Sequence, residues 1–339
     1  MTPSFAAVIT TIAEPTTQVE RLVDALRREN GRLYVAGDRK GPVRYPVPGA
    51  VFLSLEEQEK STFALARLLP TGHYARKNIG YLQAVREGYR CLYETDDDNA
   101  PASTWRRRPL TVRARVGEGG PWVNVYRYFS DEVIWPRGFP LNRINDPGSP
   151  EERGGAPPEE VETVCPIQQG LVDGSPDVDA VWRLVFRRKF SFREGRSVWL
   201  PPGSWCPFNS QNTWWWTDAI PLMYLPSHCS FRMTDIWRSF IAQRCLWEAG
   251  RGVVFHPADM VQERNVHDLM TDFVEEFPGY RGNEEMARIL ADARLAPGTG
   301  AVFDNLMKCY SLLSGKGFFP GEELALVAAW RRDLESLLP

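Results

Sequence analysis

The sequence has little of what would mark several common protein classes. It contains only four histidines, and its six cysteines (Cys91, Cys165, Cys206, Cys229, Cys245 and Cys309) form no C-x-x-C pair. Neither a zinc ribbon nor a disulfide framework is indicated, and the expectation is buried thiols in a reducing compartment. The formal net charge is −3, with no basic excess of the kind a nucleic-acid-binding face requires. No stretch approaches the roughly 18 apolar residues of a membrane span. The first eleven residues lack the basic start and long apolar core of a signal peptide. These absences predict a cytoplasmic protein that does not cross a membrane, although a membrane-associated acceptor is compatible with them.

What is present is ordinary for a globular α/β chain. The 339 residues are 43% hydrophobic and 24% charged, enough to bury a sizeable core. Phe5 to Thr11 is an apolar run ending in two hydroxyls, as expected of a buried parallel strand that opens on a site. A helix is expected from residue 14 to about 30, closed by Asn30-Gly31, with Val19, Leu22, Val23 and Leu26 on one face. Leu33 to Ala36 and Val51 to Leu53 give two more strands. Helices over about 55–69 and 76–88 follow, and Arg90 to Glu94 forms a fourth strand. This alternation predicts a doubly wound parallel sheet, whose ligands lie beyond the carboxyl ends of its strands. Thr10-Thr11, Asp38 to Lys40 and Asp96 to Asp98 all fall at such ends. A Pro/Gly/Glu loop is expected at 147–160, and a helical tail from about 283.

Three consecutive aspartates after an apolar strand repel one another unless a positive group joins them. Asp96 and Asp98 share a side of an extended segment, so both can approach one Mg²⁺ or Mn²⁺ bound to diphosphate. The alternative is a solvated acidic turn. His73-Tyr74-Ala75-Arg76-Lys77-Asn78 puts two cations and an amide at a helix start, a setting that suits phosphate. Phe208 to Thr213 sets Asn209 and Gln211 beside aromatics, suiting sugar hydroxyls or an Asn-rich turn. Asp235 opens an amphipathic helix, either as a first-turn acid or as a functional carboxylate. His256 follows a further apolar strand and is either structural or a metal ligand.

In their order along the chain these segments resemble the STELLO-type glycosyltransferases, and more distantly the UDP-arabinopyranose mutases. The segments that carry the likeness are Thr10-Thr11-Ile12, Val35 to Lys40, His73 to Tyr81 and Tyr93 to Asn99. They continue with Trp135-Pro136-Arg137-Gly138-Phe139-Pro140, Phe208 to Gln211, Thr234 to Arg238, and Glu263-Arg264-Asn265 with His267. The resemblance implies a GT-A-like Rossmann-type αβα sandwich with a mostly parallel central sheet and a helical C-terminal tail. It divides the chain into a catalytic domain over 1–280, with a nucleotide half at 1–100 and an acceptor half at 101–280, and an extension over 281–339.

The resemblance further implies a metal-dependent transfer of sugar from a nucleotide-diphosphate sugar, a UDP-sugar first, to a glycan or other hydroxyl acceptor, in glycan or surface polysaccharide synthesis. Thr10, Thr11, Asp38, Lys40, Arg76, Lys77, Asn78, Asp97, Asn209 and Gln211 would then contact the donor. Asp96 and Asp98 would hold Mn²⁺ or Mg²⁺, with His256 or His267 as a third ligand, and Asp235 would be the general base. The mutases raise a second expectation, that Arg137 takes part covalently. A third is a non-catalytic partner that keeps the fold.

Overall fold

The computed structural model describes residues 4–118, 120–146, 159–263 and 268–338. The 147–160 loop falls almost wholly outside them, as do Arg264, Asn265 and His267. The first half runs β1 (Phe5–Thr11), α1 (Thr17–Arg28), β2 (Gly31–Gly37), β3 (Ala50–Leu53), α2 (Leu55–Lys60), α3 (Ala64–Leu68), α4 (Lys77–Arg86) and β4 (Cys91–Thr95). It continues with β5 (Asn99–Pro101), β6 (Thr111–Val116), β7 (Glu160–Val164), β8 (Ile167–Asp173) and α5 (Ala180–Phe186). Then come β9 (Val198–Leu200), β10 (Asn212–Trp216), α6 (Thr234–Trp247), β11 (Val253–Gln262), α7 (Leu269–Ala291), α8 (Val302–Ser314) and α9 (Glu322–Glu335).

The strands form one sheet in the order β3-β2-β1-β4-β10-β8-β11-β9-β6-β7, with β5 beside β11. The four N-terminal strands are mutually parallel. The reversed strand β10 pairs antiparallel with both β4 and β8, so β8, and β11 beside it, run with the first four again. This is the expected α/β sandwich of GT-A type.

Local chemistry accounts for most boundaries. Thr16 caps α1 by accepting from the Val19 N–H at 3.2 Å, and Val19, Leu22, Val23 and Leu26 are the buried face. Asn30 takes the left-handed turn with φ 58°, so Asn30 rather than Gly31 reverses the chain. The single helix expected over 55–69 is two helices, because Ser61 adopts an extended backbone and its hydroxyl donates to the Gln58 carbonyl at 2.7 Å. Helix α4 is buried on nearly every side. A Cβ on its Gly80 would meet Val8 Cγ1 at 2.5 Å, so glycine lets α4 lie directly on β1 and sets Lys77 under the end of β4.

The three tail helices begin at Leu269, and α7 runs unbroken through position 280. They are stitched into the rest. Asp333 accepts from the Ala64 and Leu65 N–H groups at 2.9 Å, capping α3 from the far end of the chain. Among the described residues no helix is long and apolar enough to cross a membrane.

Candidate functional site

The carboxyl ends of β1, β2 and β4 open onto one cleft of about 460 Å³, lined by Thr10, Thr11, Asp38, Lys40 and all three aspartates of the 96–98 run. Across it stand Arg137, Ser210, Arg232 and Asp235. The sequence segments that fall at strand ends are thus brought together. Asp38 is buried and fully occupied: one oxygen accepts from Arg39 N–H at 2.7 Å, the other from Gly72 and His73 N–H at 2.7 and 2.9 Å. It holds the 72–73 turn against the end of β2.

Each aspartate of the run has a different partner. Asp96 Oδ1 accepts from Lys77 Nζ at 3.1 Å, and that buried ammonium also donates to the Thr95 carbonyl at 2.6 Å. The Asp97 carboxylate accepts from the Thr11 hydroxyl, and its carbonyl accepts from Thr16 Oγ1 at 2.9 Å. Both oxygens of Asp98 accept from Gln262 Nε2, at 3.1 and 3.0 Å. Removal from water raises the Asp96 pKa, Lys77 opposes that shift, and Asp98 and Asp97 add to it. The Asp96 side chain keeps 39% of its surface open, so cleft water tempers the shift.

The opposite wall is built on Arg137. Its Nε and Nη2 donate to the two oxygens of Asp177 at 2.8 Å, and its Nη1 and Nη2 donate to the two oxygens of Asp235 at 3.0 Å. Nη1 also donates to the Arg232 carbonyl. The turn that aims Arg137 needs Gly138, whose φ is +86° and whose added Cβ would meet Ile236 Cγ2 of α6 at 2.4 Å. Asp235 also accepts from Ser210 N–H at 3.2 Å. Burial alone would raise the Asp235 pKa, but the charge and hydrogen bonds of Arg137 outweigh it and bring the carboxyl down to about 2. The two carboxylates overcome the burial of Arg137 and hold its pKa well above the ordinary value. All three guanidinium nitrogens are thus engaged with acceptors, and a covalent role of the kind expected from the mutases would need Arg137 released from both carboxylates.

Several expected contacts are placed elsewhere. Arg76 is buried, donating to Gln58 Oε1 at 2.9 Å and to the Ala66 and Leu69 carbonyls at 3.1 and 3.2 Å, so it braces α3 and does not face a diphosphate. Asn78 exchanges hydrogen bonds with the Leu225 backbone at 2.8 and 2.9 Å. Asn209 and Gln211 lie behind the cleft wall. Asn209 pairs with Gln169, and the Gln211 carbonyl accepts from Thr95 Oγ1 and Asn99 Nδ2 at 2.7 and 3.0 Å. Gln211 fastens the ends of the acidic run beside β10, Asn209 is tied to β8, and neither lines the cleft.

His256 does not join Asp96 and Asp98 either. It is buried in β11 with its two ring nitrogens against Ser197 Oγ at 2.6 Å and Gln168 Oε1 at 2.9 Å, and burial drives its pKa well below the usual range. His267 lies outside the described residues. Among those residues no group of three His, Cys, Asp or Glu is arranged around a common point.

The residue types at the run still suit a hard divalent cation, which binds through one or two carboxylates and completes its shell with phosphate oxygens and water. Five carboxylates line the cleft (Asp38, Asp96, Asp97, Asp98, Asp235) against the cations Lys40, Arg137 and Arg232. Gln262 and Asp177 were not singled out in the sequence, because their partners Asp98 and Arg137 lie far away along the chain. Ser210 lay within the Phe208 to Thr213 segment, but only its backbone N–H contact with Asp235 shows its place on the wall. Phe231, also on the cleft wall, carries no sequence signal.

A parallel αβα core with an acidic run beyond its fourth strand, facing a helix-borne carboxylate across a cleft, defines a GT-A-like α/β protein. Residues 232–338, which take in Arg232, Asp235 and the tail helices, match the family model described as STELLO glycosyltransferases. The chain is 25% identical over 360 residues to the Arabidopsis thaliana protein described as "Probable glycosyltransferase STELLO1", covering 96% of this chain and 44% of that protein. It is 25% identical over 358 residues to "Probable glycosyltransferase STELLO2" of the same plant, with the same coverage. The likeness to STELLO glycosyltransferases carried by the ordered motifs is borne out. The chain spans less than half the length of these curated relatives.

Proposed function

We propose that this chain is a metal-dependent glycosyltransferase that moves a sugar from a nucleotide-diphosphate sugar, a UDP-sugar first, to a hydroxyl acceptor. The observation that carries this reading is the cleft itself, where the carboxyl ends of three parallel strands meet Asp235 with carboxylates in the majority. A diphosphate entering such a field is repelled unless a divalent cation accompanies it. Asp96 and Asp98 would hold Mn²⁺ or Mg²⁺. When bound, the ion offsets charge on the departing nucleotide diphosphate.

The chain's own residues do the rest. Thr10, Thr11 and Lys40 face the nucleotide, and Asp38 fixes the turn beside it. Lys77 orients Asp96 from below. Asp235 is ionised throughout the working pH range and weakly basic, so it takes the acceptor proton late in the attack, when the hydroxyl has become strongly acidic. Arg137 fixes the direction of both Asp235 oxygens. Its two ion pairs also disfavour the mutase reading, which needs a nucleophilic nitrogen.

Calorimetric titration with UDP, with and without Mn²⁺, tests the donor site. Binding that needs Mn²⁺ and disappears in Asp98→Ala is the expected result, and metal-independent binding would remove the metal from the scheme. Asp235→Asn keeps UDP affinity and lowers turnover at least about 10²-fold, the scale of one general base. Wild-type turnover in that variant would end the assignment of Asp235. Release of free UDP during sugar transfer distinguishes the transferase from a mutase, which returns the nucleotide still attached. A chain that binds no nucleotide under either condition is the non-catalytic partner.

A further inference from the structure

Phe231 breaks the polar character of the cleft. It lines the wall one helical turn before Asp235, and 47% of its surface is exposed. Its ring stands edge-on to Tyr74 at 4.8 Å and to His73 at 5.5 Å. Those two rings stack on each other at 5.7 Å with only 9° between their planes. The backbone around Phe231 is held on both sides. Arg137 donates to the neighbouring Arg232 carbonyl, and Arg232 Nε donates to Glu276 Oε1 at 3.0 Å. The Asp235 N–H donates to the Tyr74 hydroxyl at 3.0 Å, tying the aromatic group to the base of α6. The result is an apolar ring presented in a fixed place beside the Asp235 carboxylate.

A ring exposed in this way suits a ligand that is apolar on one face and hydroxylated around its rim. A pyranose with axial hydrogens on one face has that form, and it can stack its C–H groups while its hydroxyls reach sideways. With the divalent cation offsetting the carboxylate majority, the negative charge of the bound nucleoside diphosphate then selects on charge. An acceptor bearing a carboxylate or phosphate of its own would be repelled.

Building on the transferase reading, we propose that Phe231 is the acceptor platform and that the acceptor is a neutral pyranoside glycan, not an acidic sugar, a phospholipid or a protein side chain. The glycan stacks on Phe231 with one hydroxyl directed at Asp235. In the transfer, the hydroxyl oxygen forms its bond to the anomeric carbon of the donor sugar. The bond from that carbon to the diphosphate oxygen breaks, its electron pair leaves with the nucleoside diphosphate, and the hydroxyl proton passes to Asp235.

Saturation-transfer NMR of the full chain with UDP and Mn²⁺ tests this, using cellobiose, mannobiose and galactobiose beside methyl glucuronide. The expected result is saturation of the axial ring protons of at least one neutral disaccharide and none of the glucuronide. Phe231→Ala weakens that disaccharide roughly tenfold, the size of one stacking contact, and Phe231→Trp restores it. UDP affinity measured by calorimetry stays the same in both variants, which also shows that they fold. The proposal is overturned if no neutral disaccharide is saturated, if the glucuronide binds as tightly, or if Phe231→Ala leaves sugar binding untouched. It is equally overturned if Phe231→Ala weakens UDP, because the ring then serves the nucleotide. Failure of the wild-type chain to bind UDP with Mn²⁺ would instead remove the transferase reading beneath it.

Discussion

At the scale of single residues, the sequence identifies chemistry but not direction. Arg76 and Lys77 are adjacent cations at one helix start, yet Arg76 turns into α3 while Lys77 reaches the acidic run. Nothing in their order distinguishes them, since a helix separates neighbouring side chains by about 100° whatever they are. The aspartate run was legible because three like charges after an apolar strand need an explanation. Arg137 was legible as unusual, but its two carboxylate partners lie 40 and 98 residues away. Replacing it tests how much the arrangement matters. Arg137→Lys keeps a charge but loses both planar forks, leaving Asp177 and Asp235 short of donors. Urea denaturation should show a loss on the order of 3 kcal/mol, typical of a broken buried ion pair. An unchanged midpoint would mean that the forks do not hold the wall.

At the scale of elements, β1 to β4 were legible because each is an apolar run punctuated by polar or glycine residues. Strand β10 was not, because Trp214 and Trp215 are both fully buried and the strand shows no alternation. Its position between β4 and β8 depends on pairings far apart in sequence. Two histidines, the half-buried His73 and the buried His256, give a pH response. Burial pushes His73, before α4, down to about 4, with His228 adding to the effect and Asp38 opposing it. Burial shifts His256 in β11 in the same direction.

The unfolded chain takes up these protons near the ordinary value of about 6.5, whereas the folded chain resists them. Their contribution to stability therefore falls as the pH drops from about 6.5 toward 4, while Asp96 and Asp179, both raised by burial to about 7, contribute in the opposite sense over that window. The contribution of Asp235 has the opposite origin. Its folded pKa is depressed, so that stability is present above the ordinary carboxyl range and is lost as the pH falls toward about 2. Urea midpoints across the upper window separate the His73 share from the carboxyls. On acidification the wild type should lose more stability than His73→Asn, whose amide oxygen can still accept from the Ala75 N–H that His73 Nδ1 now holds at 3.0 Å. An equal loss in that variant would assign the response to other groups.

At the scale of the whole molecule, the tail helices were visible from their periodicity, but their attachment was not. Glu323 is fully buried and accepts from the Tyr224 hydroxyl, from His228 N–H at 2.9 Å and, through its second contact with the ring, at His228 Nδ1, 2.8 Å away. Asp333 caps α3. Helix α9 thus ties α3 to the segment that carries Tyr224 and His228. Asp333→Ala should lower stability by about 1 kcal/mol, the usual worth of a helix cap, as read by thermal unfolding. A chain ending at residue 320 should lose cooperative unfolding altogether. Retention of UDP binding by that shortened chain would show the tail to be dispensable.

The Asp333 cap also sets an order of events during synthesis. The acidic run and α3 leave the ribosome more than two hundred residues before Asp333 does, as the 268-residue separation across the Leu65 bond makes plain. Until then the first N–H groups of α3 lack this partner, and α3 waits on a contact that no local sequence can supply. A nonsense codon late in the message would therefore leave one of the first-made helices without its cap.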